Sequence, residues 1–149
     1  MYYKKVKNDE VFKYLENSEL KLTNLQNYIP IYNKFFNLNS NNYNSINLNQ
    51  KYSIDNVTSI LNRTTIQAKL IDEENSKILE KPVFIKFSPL LDPLKYLTGK
   101  YDTKDEKIFV LPTLNNESII PKLNDYNNSY YIDGFFTYLS SLLLHKYNF

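Results

Sequence analysis

Lys81-Pro82-Val83-Phe84-Ile85-Lys86-Phe87-Ser88-Pro89-Leu90-Leu91-Asp92-Pro93 is the stretch whose reading decides the fold class. Apart from Lys86, residues 83–87 are β-branched or aromatic, the types that suit a pleated, half-buried strand. Pro82 has no N–H to give to a ladder, so it belongs at a strand start or on a sheet edge. Upstream, residues 64–71 alternate, with Ile66, Ala68 and Leu70 on one face. The polar residues 72–77 between the two runs read as a turn. Together they predict an antiparallel hairpin with arms near 63–72 and 78–88. Downstream, Asp92-Pro93 predicts the start of a one-turn helix over 94–97, ended by Gly99.

Two further helices are legible. Val11, Phe12 and Leu15 lie on one face of a short helix that begins near Asp9, with Asn8 or Asp9 as its cap. At the other end, Ile132, Phe135, Phe136, Leu139, Leu142, Leu143 and Lys146 follow helical spacing over about 130–146. Ser129 or Asn128 can cap that helix, and Asp133 sits in its first turn, where the helix dipole favours negative charge. The stripe is expected to pack against the hairpin. The fold class is therefore α+β, a small antiparallel sheet against a C-terminal apolar helix. The chain reads as a single domain, 1–149. It opens with a helical and aromatic segment over 1–36, in which Leu20 and Leu22 hint at a strand and Pro30 interrupts any helix. An Asn-rich loop follows at 37–50, then the α+β core at 51–149. Within that core, 52–60 suits a helix or a strand, 108–111 suits a brief strand, and 115–128 suits a loop.

Composition excludes more than it assigns. At 149 residues the chain is about one domain long. Its 14 Tyr and 9 Phe compensate for a modest aliphatic content, and tyrosine favours core edges and interfaces because its hydroxyl needs a partner. Net charge is +2 with the lysines dispersed, and Arg63 is the only arginine, so there is no basic stripe for specific nucleic-acid binding. Cysteine is absent, which removes disulfides, thiol nucleophiles and cysteine metal sites. His145 is the only histidine, so no His-rich metal site is expected. No apolar run approaches the roughly 20 residues that a membrane-spanning helix needs. The N-terminus lacks the apolar core of a signal peptide, and an intracellular location with no membrane partner is the expectation.

The catalytic repertoire is equally thin. No G-x-S-x-G elbow accompanies His145. Gly99 and Gly134, the only glycines, lie too far apart for a phosphate-cradling loop. The acids at 72–74 and at 102–106 read as solvated turns. No catalytic or metal-ligating residue is assigned. Lys86 remains, a cation set between Ile85 and Phe87. On a strand facing a cleft it can hold a phosphate or carboxylate. On the solvent face of a half-buried strand it does nothing further, and spacing favours that plainer alternative.

The run Pro82-Val83-Phe84-Ile85-Lys86-Phe87-Ser88-Pro89-Leu90-Leu91-Asp92-Pro93-Leu94-Lys95-Tyr96-Leu97-Thr98-Gly99-Lys100-Tyr101 resembles the N-terminal part of protein-kinase-like proteins of large nucleocytoplasmic DNA viruses. So does Asn127-Asn128-Ser129-Tyr130-Tyr131-Ile132-Asp133-Gly134-Phe135-Phe136-Thr137-Tyr138-Leu139-Ser140-Ser141. The resemblance covers about residues 80–149. It implies a kinase small lobe, in which Val-Phe-Ile-Lys stands where kinases carry Val-Ala-Ile-Lys. Lys86 is then the cofactor-binding residue, pairing the phosphates of ATP. The terminal helix resembles the one whose glutamate pairs with that lysine, but here Asp133 is its only acid. The glycine-rich loop, His-Arg-Asp and Asp-Phe-Gly are all missing. The resemblance thus implies a truncated or degenerate small-lobe fragment, inactive in phosphoryl transfer by itself and with no cofactor of its own. Its partners would be other viral proteins or a separate C-terminal lobe, in host cytoplasm or virion. The alternative is a non-enzymatic interaction or structural protein.

Overall fold

The computed structural model describes residues 3–5, 8–48, 51–115 and 120–146, with the side chains of 3–5, 47, 145 and 146 outside that set. In order, the elements are β1 (Tyr3–Lys5), α1 (Asp9–Glu16), β2 (Ile46–Leu48), β3 (Tyr52–Asn62), β4 (Thr65–Asp72), β5 (Lys77–Phe84), α2 (Pro93–Leu97), α3 (Pro121–Asn124) and α4 (Ser129–Lys146). Single 3₁₀ turns occupy Pro30–Lys34, Tyr43–Ser45 and Glu106–Phe109. The chain is α+β, as the sequence predicts.

The predicted hairpin is β4 and β5, paired antiparallel from Thr65 with Phe84 to Asp72 with Lys77. β3 adds to the free side of β4, giving a three-stranded sheet in the order β3-β4-β5. Pro82 lies on the edge strand. Ile85 N donates to Thr64 O at 2.7 Å, so by alternation the N–H of residue 82 would point outward, where proline costs no ladder bond. The 52–60 run resolves as strand. Its alternation is hard to read in sequence because β3 is shifted against β4 between Ile54 and Asn56, Val57 and Ser59, and Ile60 and Asn62. Val57, Ile66 and Ala68 are buried on one sheet face; α1, in which Val11, Phe12 and Leu15 are half-buried, lies against β3.

The β4–β5 turn is organised by Asp72. Its Oδ1 accepts from Glu74 N at 3.0 Å and Asn75 N at 3.2 Å, and its Oδ2 accepts from Asn75 Nδ2 at 2.9 Å. Ser76, in the left-handed region at φ 53°, closes the turn by donating its N–H to Asp72 O at 2.8 Å. The Asn75 amide, with the Glu74 and Asn75 N–H groups, holds the Asp72 carboxyl below the usual carboxylate value.

The terminal helix corrects an expectation. α4 does not bury its stripe on the hairpin. Tyr131, Phe135 and Tyr138 form one core with Ile31, Tyr32, Phe36 and Ile46. The Tyr32 and Phe135 rings meet edge to face, centroids 6.2 Å apart, and Phe35 stacks on Phe135 at 4.4 Å. Ile132, Phe136 and Leu143, placed on the core side by spacing, are exposed. The buried face is turned toward tyrosines, which apolar counting undervalues. The core therefore draws on both sides of the 1–36, 37–50 and 51–149 divisions.

The Asn-rich segment is a second correction. It is not a bare loop. It ends in β2, which pairs with β1 and buries Ile46. Its asparagines replace regular backbone bonds: Asn44 Oδ1 accepts from Asn27 N at 2.8 Å and Tyr28 N at 3.1 Å, and Asn44 O accepts from Asn27 Nδ2 at 2.9 Å. The strands expected at Leu20–Leu22 and 108–111 do not form. The latter is the turn at Glu106–Phe109, where Asp105 accepts from Lys107 N at 2.9 Å and only Ile108 is buried.

Two outcomes follow. Phe135→Ala should cost about 3–5 kcal/mol and Ile46→Ala about 2–5 kcal/mol in urea unfolding. A near-neutral Ile46→Ala would contradict the shared core. For Asp72, the folded carboxyl is depressed, so its stabilisation is present above the unfolded value of about 3.9 and is lost as pH falls through the folded value. Asp72→Asn should flatten that acid limb in pH-dependent unfolding.

Candidate functional site

Lys86 does not sit within a strand. β5 ends at Phe84, and the last ladder bond, Ile85 N to Thr64 O, leaves Lys86 just past the sheet. The same end of the sheet carries the β3–β4 turn, Arg63-Thr64, closed by Asn62 Oδ1 accepting from Thr64 N at 2.9 Å. The single arginine and the singled-out lysine thus share one sheet end. Strand register alone reveals this, and register was not readable through the shifts in β3.

The acid facing Lys86 is Asp133. Lys86 Nζ donates to Asp133 Oδ2 in a direct ion pair, 47 residues apart in sequence. α4 starts at Ser129, which sets Asp133 just past the first turn where the sequence had placed it, so the helix dipole adds little to this carboxylate. The side chains are 62% and 50% exposed, respectively, so water screens the pair. An exposed pair of this kind contributes only about 0–1 kcal/mol. The ion pair marks the geometry and does not create it.

The geometry comes from Asn128, the residue before α4. It is fully buried. Its Nδ2 donates to Leu90 O at 3.0 Å and Lys122 O at 3.1 Å, and its Oδ1 accepts from Tyr130 N at 3.2 Å. Its backbone O accepts from Tyr131 N and Ile132 N. Tyr131 Oη donates to Leu123 O at 2.7 Å, fixing α3 against the same turn. After Lys86 the chain forms the expected cap: Asp92 Oδ1 accepts from Leu94 N at 2.9 Å, and Gly99 takes φ +69°. An open apolar cleft lies there, lined by Pro89, Leu90, Leu91, Pro93, Tyr96 and Leu97.

Acid–base chemistry finds little here. Burial pushes the Tyr32 hydroxyl up to about 12 and raises those of Tyr131 and Tyr138, so these phenols stay protonated near neutrality. Among the described residues, no group of three His, Asp or Glu could hold a metal ion. No described helix is long and apolar enough to cross a membrane. The His145 side chain lies outside the described residues. No family model, no curated protein and no solved structure matches this chain.

The exposure of the pair gives a direct expectation. Lys86→Ala should change unfolding stability by no more than about 1 kcal/mol. A larger loss in chemical denaturation would make Lys86 a structural residue.

Proposed function

We propose that the chain is a protein-kinase-like small lobe of the kind found in large DNA viruses, in which Lys86 meets an anionic ligand but no phosphoryl transfer occurs without further parts. The Lys86–Asp133 ion pair is the observation that supports this reading. It joins the lysine after a three-stranded antiparallel sheet to an acid on the long helix. A lysine ammonium bonded to one carboxylate has two further donors for phosphate oxygens.

The sequence also explains why such a lobe would be catalytically silent. The β3–β4 connection is the Arg63-Thr64 turn, too short to drape backbone amides over a phosphate. The 149 residues contain neither His-Arg-Asp nor Asp-Phe-Gly, so the general base and magnesium ligands would have to come from elsewhere. Partners on this reading are a separate C-terminal lobe or other viral proteins.

A second reading has its own observation. α4 exposes Ile132, Phe136 and Leu143 along one stripe, and α2 exposes Leu94 and Leu97. Apolar surface concentrated in this way marks interaction surfaces. On that reading the chain is a non-enzymatic interaction protein, and Lys86–Asp133 is only a surface clasp.

Titration calorimetry with ATP and magnesium separates the two. Wild type should bind, and Lys86→Ala should bind about tenfold more weakly, the effect of one charge-assisted contact. Neither protein should release or transfer the γ-phosphate. Equal affinity, or no binding by either, would remove the nucleotide reading and leave the interaction reading.

A further inference from the structure

We infer that Asn128 is the positioning residue that sets Lys86 against Asp133. The two charged residues come from distant segments, and their exposed ion pair is too weak to bring those segments together. Asn128 lies five residues before Asp133 and holds, through Nδ2, the carbonyl of Leu90, four residues after Lys86. One buried amide therefore joins the segment leaving Lys86 to the base of the helix that carries Asp133.

Each of its polar atoms has a specific job. The Oδ1 contact to Tyr130 N and the backbone contacts to Tyr131 N and Ile132 N begin α4 at a defined residue. That fixes the direction in which Asp133 leaves the helix. The two Nδ2 contacts, to Leu90 O and Lys122 O, fix where that helix end lies relative to the chain after Lys86. Aspartate is short, so it reaches the lysine only if the helix end is held close. A buried amide with both donors used in this way has one arrangement, because rotating it strands two carbonyls without donors.

This inference rests on reading Lys86 and Asp133 as the functional pair, but its test reads geometry and not nucleotide binding. A water-soluble carbodiimide joins a lysine amine to a carboxylate only where the two touch. Applied to the wild-type protein, with proteolysis and mass spectrometry, it should give the Lys86–Asp133 crosslink. The Lys51–Glu74 pair, 3.4 Å apart at the far end of the sheet, serves as internal control. In Asn128→Asp, which keeps the size and the Oδ acceptor but loses both donors, the Lys86–Asp133 yield should fall about tenfold while the control holds. Asn128→Ala should show the same selective loss. An unchanged Lys86–Asp133 yield, or an equal fall in both crosslinks, would overturn the assignment. Loss of ATP binding with crosslinking intact would count against the nucleotide reading alone.

Discussion

The ring of Phe135 is met from two sides, edge to face by Tyr32 and in a stack by Phe35. This aromatic contact fixes where α4 lies, and much else depends on it. Each buried aromatic contributes about 1.5–3 kcal/mol. The cluster of Tyr32, Phe36, Tyr131, Phe135 and Tyr138 therefore outweighs any single polar contact in the chain. It draws the N-terminal third and the Asn-rich segment onto the terminal helix. The sheet remains with α1 as a smaller second layer.

Against that background the polar contacts decide position, not stability. The amides of Asn27 and Asn44 seat the turn that presents Tyr28. Asn128 seats α4 against the Leu90 loop. Lys86 and Asp133 then meet at the surface, where their attraction is screened.

What sequence could reveal follows physical period. The β4–β5 hairpin, the Asp92 cap with Gly99, and the helix over 130–146 were legible because alternation, capping chemistry and helical spacing are local signals. The partner of α4 was not. Its buried face is built on Tyr131, Phe135 and Tyr138, and tyrosine is ambiguous between core and surface. The apolar stripe caught Phe135, Leu139 and Leu142, which do join this core, but it passed over Tyr131 and Tyr138 and took in Ile132, Phe136 and Leu143, which are exposed. The Asn-rich segment misled for a related reason: asparagine signals a turn whether that turn is loose or pinned by side-chain bonds. Lys86 was legible as an oddity, but Asp133 became its partner only through contacts 47 residues apart in sequence. The kinase-like layout remains a proposal carried by that pair.

The surface that Phe135 touches decides where α4 lies. A nuclear Overhauser spectrum of the folded chain, with Phe and Tyr rings selectively labelled, reads this contact. Cross-peaks are expected from the Phe135 ring to the Tyr32 and Phe35 rings, and none to the methyls of Val57, Ile66 or Ala68. Cross-peaks from Phe135 to those sheet methyls would contradict this. They would place α4 on the hairpin and dissolve the geometry proposed for Lys86 and Asp133.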